Sequence, residues 1–526
     1  MSARRVARAA VAIGAIAASS MYAAPSAHAS VVVNGAGSTW SSIAVDQWRA
    51  DVSRFNININ FNAVGSTAGR TFFIQKQVDF AVSEIPFQAA YKDSSGTVVS
   101  NEVDQVQKSG RTYAYMPIVA GGTSFMYHLD VAGQRLRNLQ LPPDTIAKIF
   151  TGVITKWNDP AIVASNPGVP LPAISIKPVI RGDGSGTTAQ FTAFMASQTP
   201  SVWNAFCQKS GVGSPCPATS LYPDFSGAVA QNLSDGVANY VAASYNNGAI
   251  TYVEYGYARA RNYPVVSVKN RAGQYTQPTA FNVTRALNGA TLNSDNTQNL
   301  GGVYTNSDPA TYPVSSYSYM IVPTNAAPPF SAAKGKALSN FVQYFACAGQ
   351  QKAERLGYAP MPRNLVVAAF SAASKIPGAD PMPPIDYEHC ANPMLGSTGG
   401  QPKPVTTTTS PATQATTPQN NPNGSVPGND TGGTGTTQPG SIVTDPQTGE
   451  PLTTTPRTDA AGKVVKNAQG QTVNVQYQPV AAGAVVAPPN DSEPISPGIV
   501  VAAILGLLAL IFTPPFVALR LRRTRT

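Results

Sequence analysis

Residues 30–395 of this 526-residue chain are predicted to fold as α/β, and three observations carry that expectation. Short β-branched runs alternate with helix-like segments along the whole stretch, the pattern of strands interleaved with helices rather than segregated from them. The stretch is about 366 residues long, more than one typical domain, so two lobes are the natural arrangement. No unit repeats with a period of 20–50 residues, which argues against a solenoid.

Taken in order, strands are expected at Val31 to Val33, Ile57 to Phe61, Ile174 to Val179, Ala249 to Tyr252 and Tyr319 to Val322, where β-branched and aromatic residues favour a pleated, half-buried surface. Helices are expected at Thr145 to Phe150, Thr188 to Ala196 and Lys334 to Phe345. Cys207 and Cys216 are nine apart in a Gly/Pro-rich loop, Ser210 to Pro217, which suits a local disulfide; Cys347 and Cys390 would then close the end of the globule. Four cysteines allow three connectivities, so the pairing stays open at this level. No metal site is expected, because a C-x2-C spacing is missing and His128 and His389 are the histidines beyond the amino-terminal segment.

The two ends have a different character. Arg4, Arg5 and Arg8 precede an apolar stretch to about Ala18 and then Ala27-His28-Ala29, so residues 1–29 read as a removed signal peptide with the mature chain starting at Ser30. Residues 396–494 are rich in Thr, Pro, Gly, Gln and Asn, as at Thr406 to Thr409, with too few large apolar residues to bury a core, and read as a disordered tether. Residues 495–519 read as a transmembrane helix: the uncharged run Ile499 to Leu519 would be about 31 Å long as a helix, enough for a bilayer. The tail 520–526, with Arg520, Arg522, Arg523 and Arg525, predicts a cytoplasmic carboxyl terminus, which places everything before it on the extracellular face of the cell membrane.

Those two ends also explain the charge. The chain carries 36 Lys and Arg against 26 Asp and Glu, a net of +10. Seven of the positive charges are the arginines just named; the exported part keeps 29 basic against 26 acidic residues, with no basic run. Nucleic-acid binding loses its main support, whereas a mild positive excess suits a small anion.

Three glycine-rich segments are each expected to follow a strand and open a helix: Asn34 to Trp40, Gly65 to Gly69, and Arg181-Gly182-Asp183-Gly184-Ser185-Gly186-Thr187-Thr188. Such starts offer free N–H groups, hydroxyls and the positive end of a helix dipole, and each is equally a plain turn with a Ser or Thr cap. Nucleotide fingerprints are not met: Trp40 stands where G-x-G-x-x-G needs its third glycine, and no G-x-x-x-x-G-K-[ST] occurs. Asp183 replaces the first glycine of a G-x-S-x-G nucleophile elbow, and a Ser-His-Asp hydrolase has little histidine to draw on, so the chain is not expected to be an enzyme and no cofactor is expected.

The segments Asn34 to Trp48, Ala63 to Gly69, Val78 to Pro86, Thr145 to Thr188 (with Lys156-Trp157, Asn166-Pro167-Gly168 and Arg181 to Thr187) and Tyr252 to Tyr255 resemble, in family order, the PstS family of extracytoplasmic phosphate-binding subunits of ABC phosphate importers. The Arg-x-Asp-Gly-Ser-Gly-Thr block is the most specific of these. The resemblance covers most of residues 30–365. It implies a two-lobed periplasmic-binding-protein fold of type II with two crossovers, one lobe from about 30–128 plus 320–395 and the other from about 129–319.

The resemblance also implies a phosphate site. Thr39, through N–H and hydroxyl, and Trp40, through N–H in place of the family's phenylalanine, would hold one side of the anion. Ser66 would add N–H and hydroxyl donors; Arg181, Ser185, Gly186 and Thr187 would close the other side, with Asp183 holding the Arg181 guanidinium. Glu84 stands where the family has an aspartate that accepts the proton of phosphate. Physically, one acceptor among donors favours protonated phosphate over fully ionised sulfate, while the extra methylene of Glu84 reshapes the pocket. The expected protein is a monomeric, membrane-tethered binding protein that captures inorganic phosphate and delivers it to ABC permease subunits with a cytoplasmic ATPase. The competing reading is a surface receptor or adhesin that kept the fold without the transport role. Tyr252 to Tyr257, Trp157, Trp203 and Tyr312 to Tyr319 are read as packing rather than as a sugar platform.

Overall fold

A computed structural model describes residues 31–92, 98–99, 101–213, 215–396, 454–456 and 474–476. The expected signal peptide, almost all of the tether, the span 495–519 and the tail 520–526 lie outside the described residues. Among the described residues no helix is long and apolar enough to cross a membrane.

The centre is one eight-stranded sheet: β1 (Val32–Gly37), β2 (Asn58–Asn62), β3 (Phe80–Ser83), β4 (Tyr113–Tyr127), β5 (Lys177–Arg181), β6 (Val229–Gln231), β7 (Ala249–Glu254) and β8 (Ser315–Pro323), in the spatial order β6-β5-β7-β4-β8-β3-β1-β2. At one end β1 is parallel to β2 and β3; at the other β5 is parallel to β6 and β7. Parallel neighbours need crossovers, and helices supply them. Helices α1 (Ser42–Ser53) and α2 (Ser66–Ile74) link β1 to β2 and β2 to β3; α3 (Gly186–Gln198) follows β5, and α4 (Leu233–Ala242) joins β6 to β7.

Strands β4 and β8 stitch the two ends together. β4 pairs antiparallel with β8 from Tyr113 to Gly122, then with β7 from Thr123 to Tyr127, and β8 pairs onward with β3. The change from one half to the other therefore falls at Gly122 and Thr123 on this pass, a few residues before the expected boundary near 128. From Tyr115 onward every residue of β4 is buried, so buried and exposed positions do not alternate along it, as in a strand covered on both faces. Its glycines serve close approach: a Cβ on Gly121 would lie 2.7 Å from the Trp40 ring and one on Gly122 2.5 Å from Pro278.

The same logic corrects the reading of the first glycine-rich segment. Asn34 to Gly37 lies inside β1 rather than at a helix start, and the helix begins only at Ser42. A Cβ on Gly35 would overlap the Phe80 ring, and Gly37, at φ 149°, packs its Cα on the Val82 backbone. These glycines let β3 approach β1; the loop between β1 and α1 comes after them, at Ser38 to Ser41.

In the β1 half, Trp48 of α1 stacks on Phe345 of the helix Ala332–Ala346 at 5.2 Å between ring centroids. In the β5 half, Phe150, Phe191, Tyr222 and Tyr252 form a buried aromatic cluster, and Trp157 and Trp203 are fully buried. Disulfides join Cys207 to Cys216 and Cys347 to Cys390. Residues 441–526 form a separate unit, in which Thr454–Pro456 pairs antiparallel with Asn474–Gln476.

Candidate functional site

In an open α/β sheet, ligands meet the loops at the carboxyl ends of the strands, and here those loops carry the expected residues. The loop after β1 holds Ser38 to Ser41. The segment after β2 ends at Gly65, whose φ of 93° suits glycine alone and aims the first turn of α2 inward. Glu84 follows β3, Asp183 to Ser185 follow β5, and Asn232 follows β6. The starts of α2, α3 and α4 are thereby gathered at one place, each presenting the positive end of its dipole.

Ser66 joins the halves. Its Oγ donates to Glu84 Oε2 at 2.9 Å and accepts from the Gly186 N–H at 3.1 Å, while Thr67 N–H donates to Gly184 O at 3.2 Å. Gly186 packs so tightly that a Cβ on it would overlap Glu84 Oε2 and lie 2.7 Å from Ser66 Oγ. Glu84 is fully buried, and its second oxygen, Oε1, accepts from Ser318 Oγ at 2.8 Å. Burial pushes its carboxyl above the usual carboxylate range, against the pull of the Ser38, Ser318 and Ser66 hydroxyls. Its backbone carbonyl is held as well, by Gln190 Nε2 at 2.8 Å, Gln298 Nε2 at 2.9 Å and Tyr319 OH at 3.0 Å.

Arg181 sits at the end of β5 with its side chain 1% exposed. Its fork meets Asp183 through Nε at 2.7 Å and Nη2 at 2.5 Å. Burial works to raise the Asp183 carboxyl, but the Arg181 guanidinium outweighs it and holds Asp183 below the usual range. Tyr252 OH accepts from the Arg181 N–H at 3.1 Å and lies 2.9 Å from Thr188 Oγ1. Burial pushes that phenol up to about 12, so it stays protonated. Ser185 caps α3 by accepting from Thr188 N–H at 3.2 Å, and Thr187 is buried in the first turn.

On the β1 side, Trp40 is buried; its N–H donates to Ser38 Oγ at 2.9 Å, its ring N–H to Thr123 Oγ1 at 3.2 Å, and its carbonyl accepts from Tyr358 OH at 2.6 Å. Thr39 Oγ1 lies 2.7 Å from Ser234 Oγ, and Tyr257 OH donates to Thr39 O at 2.6 Å. The result is a buried, donor-rich seam between the halves into which one carboxyl group projects, an arrangement that can hold an oxyanion bearing a proton.

A family model described as a PBP superfamily domain matches residues 24–348. The phosphate-binding protein PstS of Xylella fastidiosa strain Temecula1 is 33% identical over 339 residues, 64% of this chain and 83% of that protein. This chain belongs to the PstS family. The phosphate-binding protein PstS of Pasteurella multocida is 30% identical over 338 residues, 64% of this chain and 87% of that protein. A solved high-affinity periplasmic phosphate-binding protein with phosphate bound aligns with a TM-score of 0.48 at 17% identity, over 65% of this chain and 93% of that one.

Against the PstS pattern, the structure brings Ser66, Glu84 and Gly186 into direct contact, and joins Arg181 to Asp183 on one side and to Thr39 through Ser234 on the other. Ser234, Ser318, Ser38 and Gln190 were not singled out by sequence reasoning. Serine is too common for its type to signal a site, and Ser318 is 234 residues from the carboxyl it serves. Glu254 is buried beneath the crossing of the halves and caps the helix Tyr255–Ala260 through the Gly256 N–H at 2.7 Å. Burial pushes it well above the usual range, which fits a neutral capping carboxyl inside the packing.

Proposed function

We propose that this chain captures inorganic phosphate between the two halves of its 30–395 domain and presents it to the permease subunits of an ATP-driven importer, binding its ligand without transforming it. The observation that carries this reading is Glu84, a single buried carboxyl set among the Ser38, Ser66 and Ser318 hydroxyls, beside the start of α3 and the Arg181–Asp183 pair. Donors from both halves suit an oxyanion; the acceptor suits one that still carries a proton. The relatives' common description as phosphate-binding proteins supports the same ligand.

The ionised form of Glu84 accepts the phosphate proton and repels sulfate, whereas the neutral form can donate to either anion. Because burial raises its pKa, Glu84 ionises only above the usual carboxylate range, so the phosphate preference grows with pH and shrinks toward acid. In calorimetry on the full chain in detergent, phosphate is expected to outcompete sulfate at pH 8 by at least roughly tenfold, or about 1.4 kcal/mol. Glu84→Gln is expected to narrow that ratio at pH 8, and to make it change less toward acid than in the unmodified chain, which separates Glu84 from the ligand's own protonation. Equal affinities for the two anions at pH 8 would remove Glu84 from the selectivity role; no phosphate binding at all would remove the proposed function.

We also propose that the mature chain is held to the membrane by residues 495–519, with the 396–494 segment as tether and the arginine tail inside. Uncharged length followed by four arginines supports this topology. Protease added to intact cells is expected to release a fragment containing residues 30–395 and to leave an epitope at the carboxyl terminus protected. An epitope that is accessible without lysis would refute it.

A further inference from the structure

Thr39 and Arg181, expected to meet the anion from opposite halves, are joined by a residue that lies outside the segments carrying the family resemblance. Ser234 is fully buried at the second position of α4. Its Oγ accepts from Arg181 Nη1 at 3.4 Å and lies 2.7 Å from Thr39 Oγ1, and its own N–H donates to Thr39 Oγ1 at 3.3 Å. The backbone is bent to put it there. Leu233, just before it, sits at φ 63°, a left-handed conformation that costs a non-glycine residue about 1–3 kcal/mol. The Leu233 N–H is held by Asp183 Oδ1 at 2.8 Å, so the carboxylate that aims Arg181 also anchors the turn that delivers Ser234.

The direction of these bonds follows from which groups can only donate. A guanidinium N–H and a backbone N–H have no acceptor capacity, so Ser234 Oγ takes a bond from Arg181 and Thr39 Oγ1 takes one from the Ser234 backbone. Each hydroxyl retains one proton. The contact between them uses one of the two, and the other has no acceptor among the bonds that these two oxygens make. With Ser234 donating to Thr39, the chain runs from Arg181 through Ser234 to Thr39 and leaves the Thr39 proton for the ligand, each bond polarising the next.

We propose that Ser234 is a positioning residue for anion capture: it completes a relay across the cleft that carries the Arg181 charge to the Thr39 hydroxyl. This rests on the phosphate reading, and the test separates the two. Phosphate titrations of the full chain in detergent compare the unmodified protein with Ser234→Ala, Ser234→Thr, Thr39→Ala and the double variant Ser234→Ala with Thr39→Ala. Ser234→Ala is expected to weaken phosphate binding roughly tenfold, Ser234→Thr to recover most of that loss, and Ser234→Ala to add nothing once Thr39 is already alanine. A thermal melt of each ligand-free variant that matches the unmodified chain keeps the comparison free of folding effects; should Ser234→Ala melt early, Ser234→Cys, the same size with a weaker donor, is expected to give the same non-additivity.

Losses that add in the double variant would overturn the relay, as would unchanged affinity in Ser234→Ala while Arg181→Ala binds weakly, and in both cases the phosphate reading stands. An unmodified chain that fails to bind phosphate removes the reading and the relay together.

Discussion

Phosphate affinity is expected to fall by at least a hundredfold in Arg181→Ala, read by calorimetry on the full chain. The guanidinium is buried and bidentate to Asp183, and it reaches Ser234 Oγ as well. Removing it deletes a charge-assisted donor, worth up to about 3 kcal/mol, and leaves Asp183 uncompensated to repel the arriving anion, against the roughly 2.7 kcal/mol that a hundredfold represents. Arg181→Lys restores charge without the fork and is expected to recover only part of the loss. Stability carries a second signature. The Asp183 pKa is lowered in the folded state, so its contribution is present above the unfolded pKa and is lost as pH falls through the folded one. The gap in melting temperature between the unmodified chain and Arg181→Ala is therefore widest near neutral pH and closes toward acid. Unchanged phosphate affinity in Arg181→Ala would place the anion elsewhere.

Gly186→Ala is expected to reduce phosphate affinity by at least a hundredfold for a different reason. Gly186 is the first residue of α3, where alanine is by itself the better helix former, by up to about 1 kcal/mol. Each half should fold as before. The added methyl, however, would overlap Glu84 Oε2 and crowd Ser66 Oγ and Glu84 Cβ, and Glu84 cannot swing away while buried and held by Ser66 and Ser318. The halves are then kept apart, and every donor contributed by α3 and α4 moves away from those on α2 and the loop after β1. A melting temperature close to that of the unmodified chain, with binding lost, is the expected pair of results. Full-strength binding by Gly186→Ala would mean that closure does not bring α3 onto Glu84.

Much of the local geometry of the candidate site was legible in the sequence because its parts are close along the chain. Arg181 and Asp183 are two residues apart at a strand end, close enough to pair whatever the rest of the chain does, and Ser185 caps α3 three residues before Thr188. The strands at Ile57 to Phe61 and Ala249 to Tyr252 fall within a residue or two of β2 and β7, because β-branched runs bounded by polar residues specify extended backbone from short range. The tightly packed glycines misled for the same reason. Gly35 and Gly37 look like a turn when read locally, and only the Phe80 ring and the Val82 backbone, brought in from β3, show that they serve strand packing.

β4 was missed because Pro117, Gly121 and Gly122 break its pattern, and because a strand buried on both faces shows no alternation to find. What the sequence by itself determined was the class of the globule and the local pairs and caps at its strand ends. The tertiary structure alone decided which carboxyl is surrounded by hydroxyls, how strongly it holds its proton, and that Ser234 bridges Thr39 and Arg181. The physical reason is separation along the chain: Ser318 is 234 residues from Glu84 and Ser234 is 195 from Thr39. Contacts at that range exist because β4 and β8 carry the chain twice between the halves, and burial, which sets the proton affinity of Glu84, is a property of the closed assembly rather than of any segment.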